Sequence, residues 1–208
     1  MHAGAPQATM LRIVQSHDRP PRQPRHRLKE YLTDQEMETL LAAARRGRHG
    51  VRDYALLLLA WRHGFRVSEL IRLTLVDLQF PARQIQVRRL KGSISTHHDL
   101  LDDERQAVKA WLKRRGMVPG VEALFVTERG EPFTRFGINY LVKAIGARAG
   151  FPFPCYPHML RHSCGWHVAD QGHDAFRVAG YLGHANVQNS TRYVHTSAAR
   201  FRGIWGNG

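Results

Sequence analysis

The sequence GHANVQNSTRYVH occupies residues 183–195, close to the end of a 208-residue chain. Its glycine and histidine form a corner, and the polar segment that follows is long enough for one or two helical turns and carries Tyr193. A tyrosine in this position can attack a phosphate if upstream segments surround it with cations and histidines. Taken alone, Tyr193 is more simply a packing residue, so the rest of the chain has to supply those groups.

Two arginines lie where they could hold the oxygens of a phosphate. Arg66 lies between a break at Gly64 and the start of a short helix, whose backbone N–H groups would add to an anion site. Arg161 lies near the start of a helix that Pro157 opens, three residues after His158, so both side chains share a face. Arginine suits this work because its planar fork binds two phosphate oxygens and stays charged.

The composition favours a polyanionic partner. The chain has 31 Lys and Arg against 17 Asp and Glu, a formal net charge of +14, and this excess is typical of proteins that bind nucleic acid. A basic protein without such a partner is the alternative. Two cysteines give no disulfide framework, no signal peptide is evident, and the longest apolar run, 55–61, is too short to span a bilayer. We therefore expect a cytoplasmic protein without a membrane partner.

The periodicity predicts a mainly α-helical fold with a small antiparallel β-sheet, an α+β class. Residues 1–27 are rich in Pro and Arg and predict a flexible basic tail, and a single domain follows over residues 28–208. Thr33 is predicted to cap a first helix that fades near Gly47. Alternation over 84–88 and a return over 95–101 predict a strand pair. Helices are also predicted at 51–62, 67–73, 102–113, 134–149, 157–170 and 174–183, with a strand or turn at 77–81 and a short strand at 124–126.

His158 and His162 are four residues apart on one predicted helix, which is also a spacing of metal ligands. The segment between them lacks the glutamate of a zinc protease motif, and Arg161 on the same face would repel a cation. We therefore expect no metal site here. His97 and His98, in the predicted strand pair, are expected to be surface residues.

The order of these residues resembles the tyrosine recombinase (phage integrase) family. The segments that carry the resemblance are HGFRVSEL at 63–70, PHMLRHS at 157–163, YLGH at 181–184, and Tyr193. The resemblance extends over residues 28–205. The run at 157–165, the tail RFRGIW at 200–205 and the short length look most like the fimbrial phase-variation recombinases, which invert a promoter-bearing DNA segment.

The resemblance implies a tyrosine recombinase catalytic-domain fold and a role for each matching residue. Tyr193 would attack the scissile phosphate and form a 3′-phosphotyrosyl bond, while Arg66 and Arg161 would hold the non-bridging oxygens. His158 would accept the proton of the tyrosine, which is otherwise a poor nucleophile with a pKa of about 10. His184 would donate a hydrogen bond to the phosphate.

The resemblance also implies a general acid and two supporting residues. Lys91, at the tip of the hairpin, would protonate the leaving 5′ oxygen. Arg88 and Arg89 lie close by, and a shift of one residue in register changes which of the three points inward. Glu69 would orient Arg66, and His162 would support Arg161 or the core.

The reaction exchanges one phosphoester for another, so the resemblance implies no cofactor and no metal. The expected partner is double-stranded DNA, bound by a homotetramer on two recombination sites, with DNA-bending accessory proteins as further partners. Most family members carry an N-terminal core-binding domain, for which residues 1–27 offer no counterpart. Only 15 residues follow Tyr193, so the C-terminal helix that neighbours exchange would be short.

Two other functions are compatible with the same fold. One is a DNA-binding regulator whose chemistry is silent, although such a protein has no need of Tyr193 together with both arginines. The other is a nicking and closing enzyme of the type IB topoisomerase class, which shares the chemistry but acts as a monomer without site preference. A basic helical domain that only binds DNA would show a steep salt dependence and no covalent adduct.

Overall fold

The computed structural model describes residues 29–90 and 93–195, which form eight α-helices and a three-stranded antiparallel sheet. The predicted α+β class is confirmed. The predicted basic tail, Lys91 and the segment at 200–205 lie outside the described residues. The helices are α1 (Asp34–Arg45), α2 (Gly50–Arg62), α3 (Val67–Leu70), α4 (Asp102–Arg115), α5 (Arg135–Arg148), α6 (Pro157–Asp170), α7 (Ala175–Leu182) and α8 (Gln188–His195), and the strands are β1 (Leu78–Gln79), β2 (Gln84–Val87) and β3 (Thr96–Asp99), with a 3-10 turn at Leu75–Asp77 before β1.

Most helix starts lie where the sequence places them, because the capping side chains are local. Thr33 and Glu36 form the predicted capping box at the start of α1, each side chain serving the backbone N–H of the other. The side chains of Thr134 and Asp174 accept hydrogen bonds at the starts of α5 and α7. Pro157 is the first residue of α6, as predicted.

The start of α4 differs from the prediction that Asp102 or Asp103 caps it. Leu101 is the N-cap residue, and its backbone N–H donates to the carboxylate of Glu104 at 2.8 Å. Asp103 instead makes a two-pronged ion pair with Arg62, with both N–O distances at 2.6 Å. A glutamate three residues into the helix thus satisfies the N-terminal N–H, which leaves the aspartates free to pair elsewhere.

The predicted strand at 124–126 is wrong. This segment is buried, but it pairs only through isolated bridges, Thr74 with Ala123 and Val126 with Pro132. Its apolar residues fill the core beneath α4 without joining the sheet. A short apolar run has no periodicity to separate a strand from a buried loop.

The sheet is packed on the main core through its inward-facing residues. Leu78 pairs with Ile85, and Ile85 pairs with His98, so these three side chains lie at one level of the sheet. Helix α2 is buried along 55–60 because it packs against α1, α4 and α6. Among the described residues, no helix combines the length and the apolar composition needed to cross a membrane.

A second, smaller apolar cluster joins α6, α7 and α8. Its buried members are Cys164 and Ala169 on α6, Val178 and Leu182 on α7, and Tyr193 on α8. This cluster fixes the last two helices of the described chain against the helix that carries His158 and Arg161. The helices that carry His158, Arg161 and Tyr193 therefore pack against one another.

Candidate active site

Arg66 lies at the start of α3, with its backbone and side chain both bound to Glu69. The backbone N–H donates to one carboxylate oxygen at 2.9 Å, and Nη1 donates to the other at 2.6 Å. The Glu69 side chain is fully buried, whereas that of Arg66 is 33% exposed. Burial alone would raise the pKa of Glu69, but the bonds from Arg66 and the charge of Arg89 lower it on balance. Glu69 therefore stays ionised and aims Arg66.

Arg161 is buried behind Arg66 and is held by main-chain carbonyls. Its Nη1 donates to the carbonyl of Gly64, and its Nη2 donates to that of Leu182 at 2.7 Å. The same guanidinium lies 4.0 Å from the Glu69 carboxylate. Burial, with the charges of neighbouring arginines, lowers the pKa of Arg161 to about 10, so the side chain is still charged at neutral pH. The guanidinium groups of Arg66 and Arg161 thus both lie against the Glu69 carboxylate.

His158 lines an open groove together with Arg66. The groove has a volume of about 760 Å³, and Ser93, Arg135 and Asn139 are among its other lining residues. Burial lowers the pKa of His158, and the positive charges of the nearby arginines lower it further. A neutral imidazole and cationic guanidinium groups therefore face one cavity that is open to an extended ligand.

Tyr193 lies on His162 in this structure. Its hydroxyl is 2.7 Å from Nδ1 of His162, and the tyrosine is only 2% exposed. We expected His158 to accept the hydroxyl proton, but the hydrogen bond runs to the histidine one turn further along α6. The rings of the two histidines are in edge-on contact, with centroids 4.4 Å apart. His162 thus contacts both Tyr193 and His158, and His158 lines the groove.

Burial sets the protonation of this pair. It lowers the pKa of His162 to about 3, with a smaller effect of the neighbouring His158, and it raises the pKa of the Tyr193 hydroxyl despite the nearby Arg192. At neutral pH the imidazole is therefore neutral and the phenol is protonated. A neutral Nδ1 can accept the hydrogen bond that the phenol donates.

The Tyr193 ring packs closely against α6. A Cβ on Gly165 would lie 2.8 Å from the ring, so only glycine lets it approach this closely. Trp166 packs edge-on against Tyr193 with ring centroids 5.9 Å apart, and Tyr31 stacks on the Trp166 ring with centroids 4.7 Å apart. Helix α8 is therefore held down through its tyrosine.

His184 follows the left-handed residue that ends α7. Gly183 has a φ of +67°, which turns the chain so that the His184 N–H donates to the Ala179 carbonyl at 2.9 Å. The His184 ring is 2.7 Å from the Ser190 hydroxyl, and burial with the charge of Arg161 lowers its pKa to about 4. The corner thus ties α7 to the start of α8.

Arg89 is a buried residue of this region, one of the three basic residues, with Arg88 and Lys91, whose inward orientation the sequence left open. Its side chain is fully buried, and its guanidinium contacts Glu69 at 2.8 Å. Ile85 and Val87 face the core from β2, and Arg89 continues that alternation, which is the signal that could have identified it. Arg88 points the other way and pairs with Asp77 at 2.7 Å. The structure thus shows which of these two arginines faces inward.

The expectation that His98 is a surface residue is wrong. Its pairing with Ile85 directs it to the core, where its Nδ1 lies 3.2 Å from Nδ1 of His63. His63 in turn lies 3.0 Å from the buried carboxylate of Glu104, and His98 stacks on Tyr181 with centroids 4.0 Å apart. Burial, with the neighbouring His63, lowers the pKa of His98 to about 3. His97, the neighbour in sequence, is exposed as expected.

The arrangement can be compared with known proteins. Residues 30–200 match the model of the Phage integrase family. The chain belongs to this family. It is 41% identical over 180 residues to the type 1 fimbriae regulatory protein FimE of Escherichia coli K12, which covers 85% of this chain and 91% of that protein. The family and the fimbrial resemblance expected from the sequence are thereby confirmed.

Solved recombinases share the fold. The XerA recombinase superposes with a TM-score of 0.74 at 28% identity, over 86% of this chain and 64% of that one. The XerH site-specific recombinase, in a post-cleavage complex with a palindromic difH substrate, gives a TM-score of 0.71 at 25% identity. The match spans 86% of this chain and 54% of that one. The predicted tyrosine recombinase catalytic-domain fold is confirmed.

Proposed function

We propose that this member of the phage integrase family is a site-specific recombinase that cleaves and rejoins double-stranded DNA through a 3′-phosphotyrosyl intermediate. The observation that carries the proposal is the meeting of Arg66 and Arg161 at the buried Glu69, beside a groove that His158 lines. A phosphodiester in that groove would find charge for its non-bridging oxygens on one side and an imidazole on the other. The nucleophile is supplied by Tyr193 from the adjacent helix.

The proposed reaction is one exchange of phosphoester bonds. The Tyr193 oxygen bonds to phosphorus as its proton leaves, and the bond from phosphorus to the 5′ oxygen breaks. The 5′ oxygen takes a proton from Lys91, the proposed general acid. His184 donates a hydrogen bond to the phosphate during the step. Because the number of phosphoester bonds is unchanged, the reaction requires no nucleotide, metal or redox cofactor.

The tyrosine has to leave His162 before it can react. Its hydroxyl is enclosed in the structure, and burial holds its pKa above the ordinary value, so the docked state is a resting state. We propose that His158, whose ring touches that of His162, accepts the proton once the hydroxyl enters the groove. Arg66 and Arg161 then stabilise the phenolate beside the phosphate.

The proposed partner is DNA, and the proposed assembly is a homotetramer on two recombination sites in the cytoplasm. The basic charge of the chain and the DNA-bound state of the XerH structure support the DNA partner. The resemblance to the fimbrial phase-variation recombinases implies DNA inversion as the outcome, with DNA-bending proteins as accessory partners, and the chain's similarity to a type 1 fimbriae regulatory protein is in keeping with that resemblance. A tetramer exchanging strands in pairs needs each protomer to release its tyrosine in turn.

The test is the formation of a covalent protein–DNA adduct. DNA fragments that flank the gene are incubated with wild type and with Tyr193→Phe, and complexes that resist SDS but are lost on protease treatment are measured. An adduct with wild type alone supports the proposal and maps the cleavage site. Equal DNA binding by both proteins with no adduct, even on nicked substrates that trap cleavage, would point instead to a silent DNA-binding regulator.

Supercoil relaxation distinguishes a recombinase from the remaining alternative, a nicking and closing enzyme. A plasmid that carries two copies of the mapped site is incubated with wild type, and its topology and its sequence arrangement are measured. Inverted or deleted plasmid supports a recombinase. Relaxation without any rearranged plasmid would favour a nicking and closing enzyme.

A further inference from the structure

Arg89 is held by four acceptors from two segments, residues 63–69 and the end of α7. Its Nη1 donates to the Gly64 carbonyl at 3.2 Å and to Glu69 at 2.8 Å, and its Nη2 donates to the carbonyls of His63 and Tyr181, both at 2.9 Å. His63 and Gly64 immediately precede the Arg66 segment, whereas Tyr181 lies at the end of α7. The guanidinium therefore joins the end of β2 to two segments that are distant in sequence.

The bonds of Arg89 run parallel to those of Arg161. Both guanidinium groups donate to the Gly64 carbonyl, and both lie against Glu69. Each also donates to a carbonyl at the end of α7, Arg89 to that of Tyr181 and Arg161 to the next one, that of Leu182. A displacement of Arg89 would therefore move the acceptors that fix Arg161.

The corner before His184 also rests on Arg89. A Cβ built on Gly183 would lie 2.7 Å from Cγ of Arg89 and 2.9 Å from its Nε. Glycine is thus required there for close approach as well as for its positive φ. The Arg89 stem is the surface on which the Gly183–His184 turn lies.

We propose that Arg89 is a positioning residue for the cleavage step, whose planar fork sets the relative positions of Arg161, Glu69 and the Gly183–His184 corner. The inference rests on the proposed function and deepens it. The Arg89 side chain is fully buried and we assign it no contact with DNA, whereas the phosphate contact of Arg161, whose side chain is 2% exposed here, is assigned by the family resemblance. It acts through Arg161 and through Glu69, which aims Arg66.

A lysine at position 89 would not replace this function. One ammonium group can keep the charge opposite Glu69, but it lacks the rigid fork that reaches carbonyls on both sides. Arg89→Lys therefore removes the planar fork that bonds to carbonyls on both sides, and it keeps the positive charge opposite Glu69. Arg88→Lys is the matched control, since it makes the same change one residue earlier, at a side chain that is 56% exposed and pairs with Asp77 on the other face.

The experiment measures single-turnover cleavage of a nicked substrate made from a fragment on which wild type forms an adduct. We expect Arg89→Lys to bind that DNA like wild type but to cleave it about 100-fold more slowly, the loss that a misplacement of about 1 Å can cause. Arg88→Lys should cleave at the wild-type rate. A purely structural role would lower the fraction of active protein and leave the rate constant unchanged, and that result would overturn the proposal.

A second measurement needs no DNA. The guanidinium Nε signal of Arg161 is followed by NMR in ¹⁵N-labelled protein. It should move in Arg89→Lys and stay in place in Arg88→Lys; an unmoved signal would overturn the proposal. If wild type itself formed no adduct, the proposed function would be refuted. The Arg161 signal would still test whether Arg89 positions Arg161.

Ser95→Ala keeps the test open if Arg89→Lys does not fold. The Ser95 hydroxyl accepts a hydrogen bond from the backbone N–H of Arg89 at 3.0 Å and is itself exposed, so its removal disturbs Arg89 gently. We expect the Arg161 signal to move and cleavage to slow severalfold. Wild-type values for both would count against the inference.

Discussion

Removing one oxygen from Tyr193 should have two separate effects. Tyr193→Phe deletes the proposed nucleophile, so the covalent adduct should be lost. It also removes the partner of the His162 ring nitrogen, which is 2.7 Å away. The phenyl ring itself keeps its contacts with Trp166 and with the surface over Gly165. Loss of the Tyr193 hydroxyl oxygen thus lowers stability by removing a hydrogen bond and abolishes cleavage by removing the nucleophile.

The stability loss can be bounded from the surroundings of His162. This residue is 9% exposed, so water cannot readily replace the lost hydroxyl. A buried polar atom left without a partner costs about 1–3 kcal/mol. For a domain of this size, each kcal/mol lowers the melting temperature by about 2–4 °C. We therefore expect Tyr193→Phe to melt about 2–12 °C below wild type in the absence of DNA.

Denaturant and thermal unfolding, followed by circular dichroism, measure this difference. Tyr181→Phe is the matched control, because it removes a half-buried hydroxyl that donates to the Arg62 carbonyl at 2.8 Å. It should lose stability to a similar extent and still form the adduct. If Tyr193→Phe were as stable as wild type, the docking of the hydroxyl on His162 would be refuted, and an adduct with this variant would refute the nucleophile.

Four further outcomes are expected. Gly165→Ala should lower the free energy of unfolding by about 1–3 kcal/mol, because the added methyl group overlaps the Tyr193 ring. Gly180→Ala, which has open space around it, should raise the free energy of unfolding by up to about 1 kcal/mol, and denaturant unfolding measures both changes. Arg161→Ala should slow single-turnover cleavage about 100-fold, since an electrostatic stabiliser of this kind contributes roughly 3 kcal/mol, and a near-wild-type rate would remove it from the site. Lowering the pH from 6.5 to 5 should reduce the free energy of unfolding, because histidines of the unfolded chain take up protons near pH 6.5, whereas burial holds the pKa of His98 and of His162 at about 3 in the folded chain. Each of the two histidines should lower the free energy of unfolding by at most about 2 kcal/mol. A free energy of unfolding that does not change over this pH range would contradict their burial. EDTA should leave adduct formation unchanged, and inhibition would implicate a metal at the paired histidines of α6.

Features that depend on neighbours in sequence could be predicted from the chain. Thr33, Thr134 and Pro157 mark helix starts because a cap acts within one turn. The spacing of His158 and Arg161 places them on one face of α6 for the same reason. The family resemblance adds the order of the site residues along the chain.

Features that depend on packing between distant segments could not be predicted. The docking of Tyr193 on His162 is decided by Gly165, whose missing side chain makes room for the ring. The alternation along β2 could have shown that Arg89 faces inward, but its acceptors at residues 63, 64, 69 and 181 belong to segments that no local pattern brings together. His98 was misplaced for the same reason, since its burial requires His63 and Glu104 from two other segments.

The ring of Trp166, which contacts both Tyr31 and Tyr193, has a practical consequence. An indole that loses a neighbouring phenol on one side changes its fluorescence, so departure of the tyrosine carries its own optical signal. Rapid mixing with DNA would then record how fast α8 leaves α6, without any attached dye. Comparing that rate with the rate of cleavage would show whether chemistry or the release of the nucleophile limits the reaction.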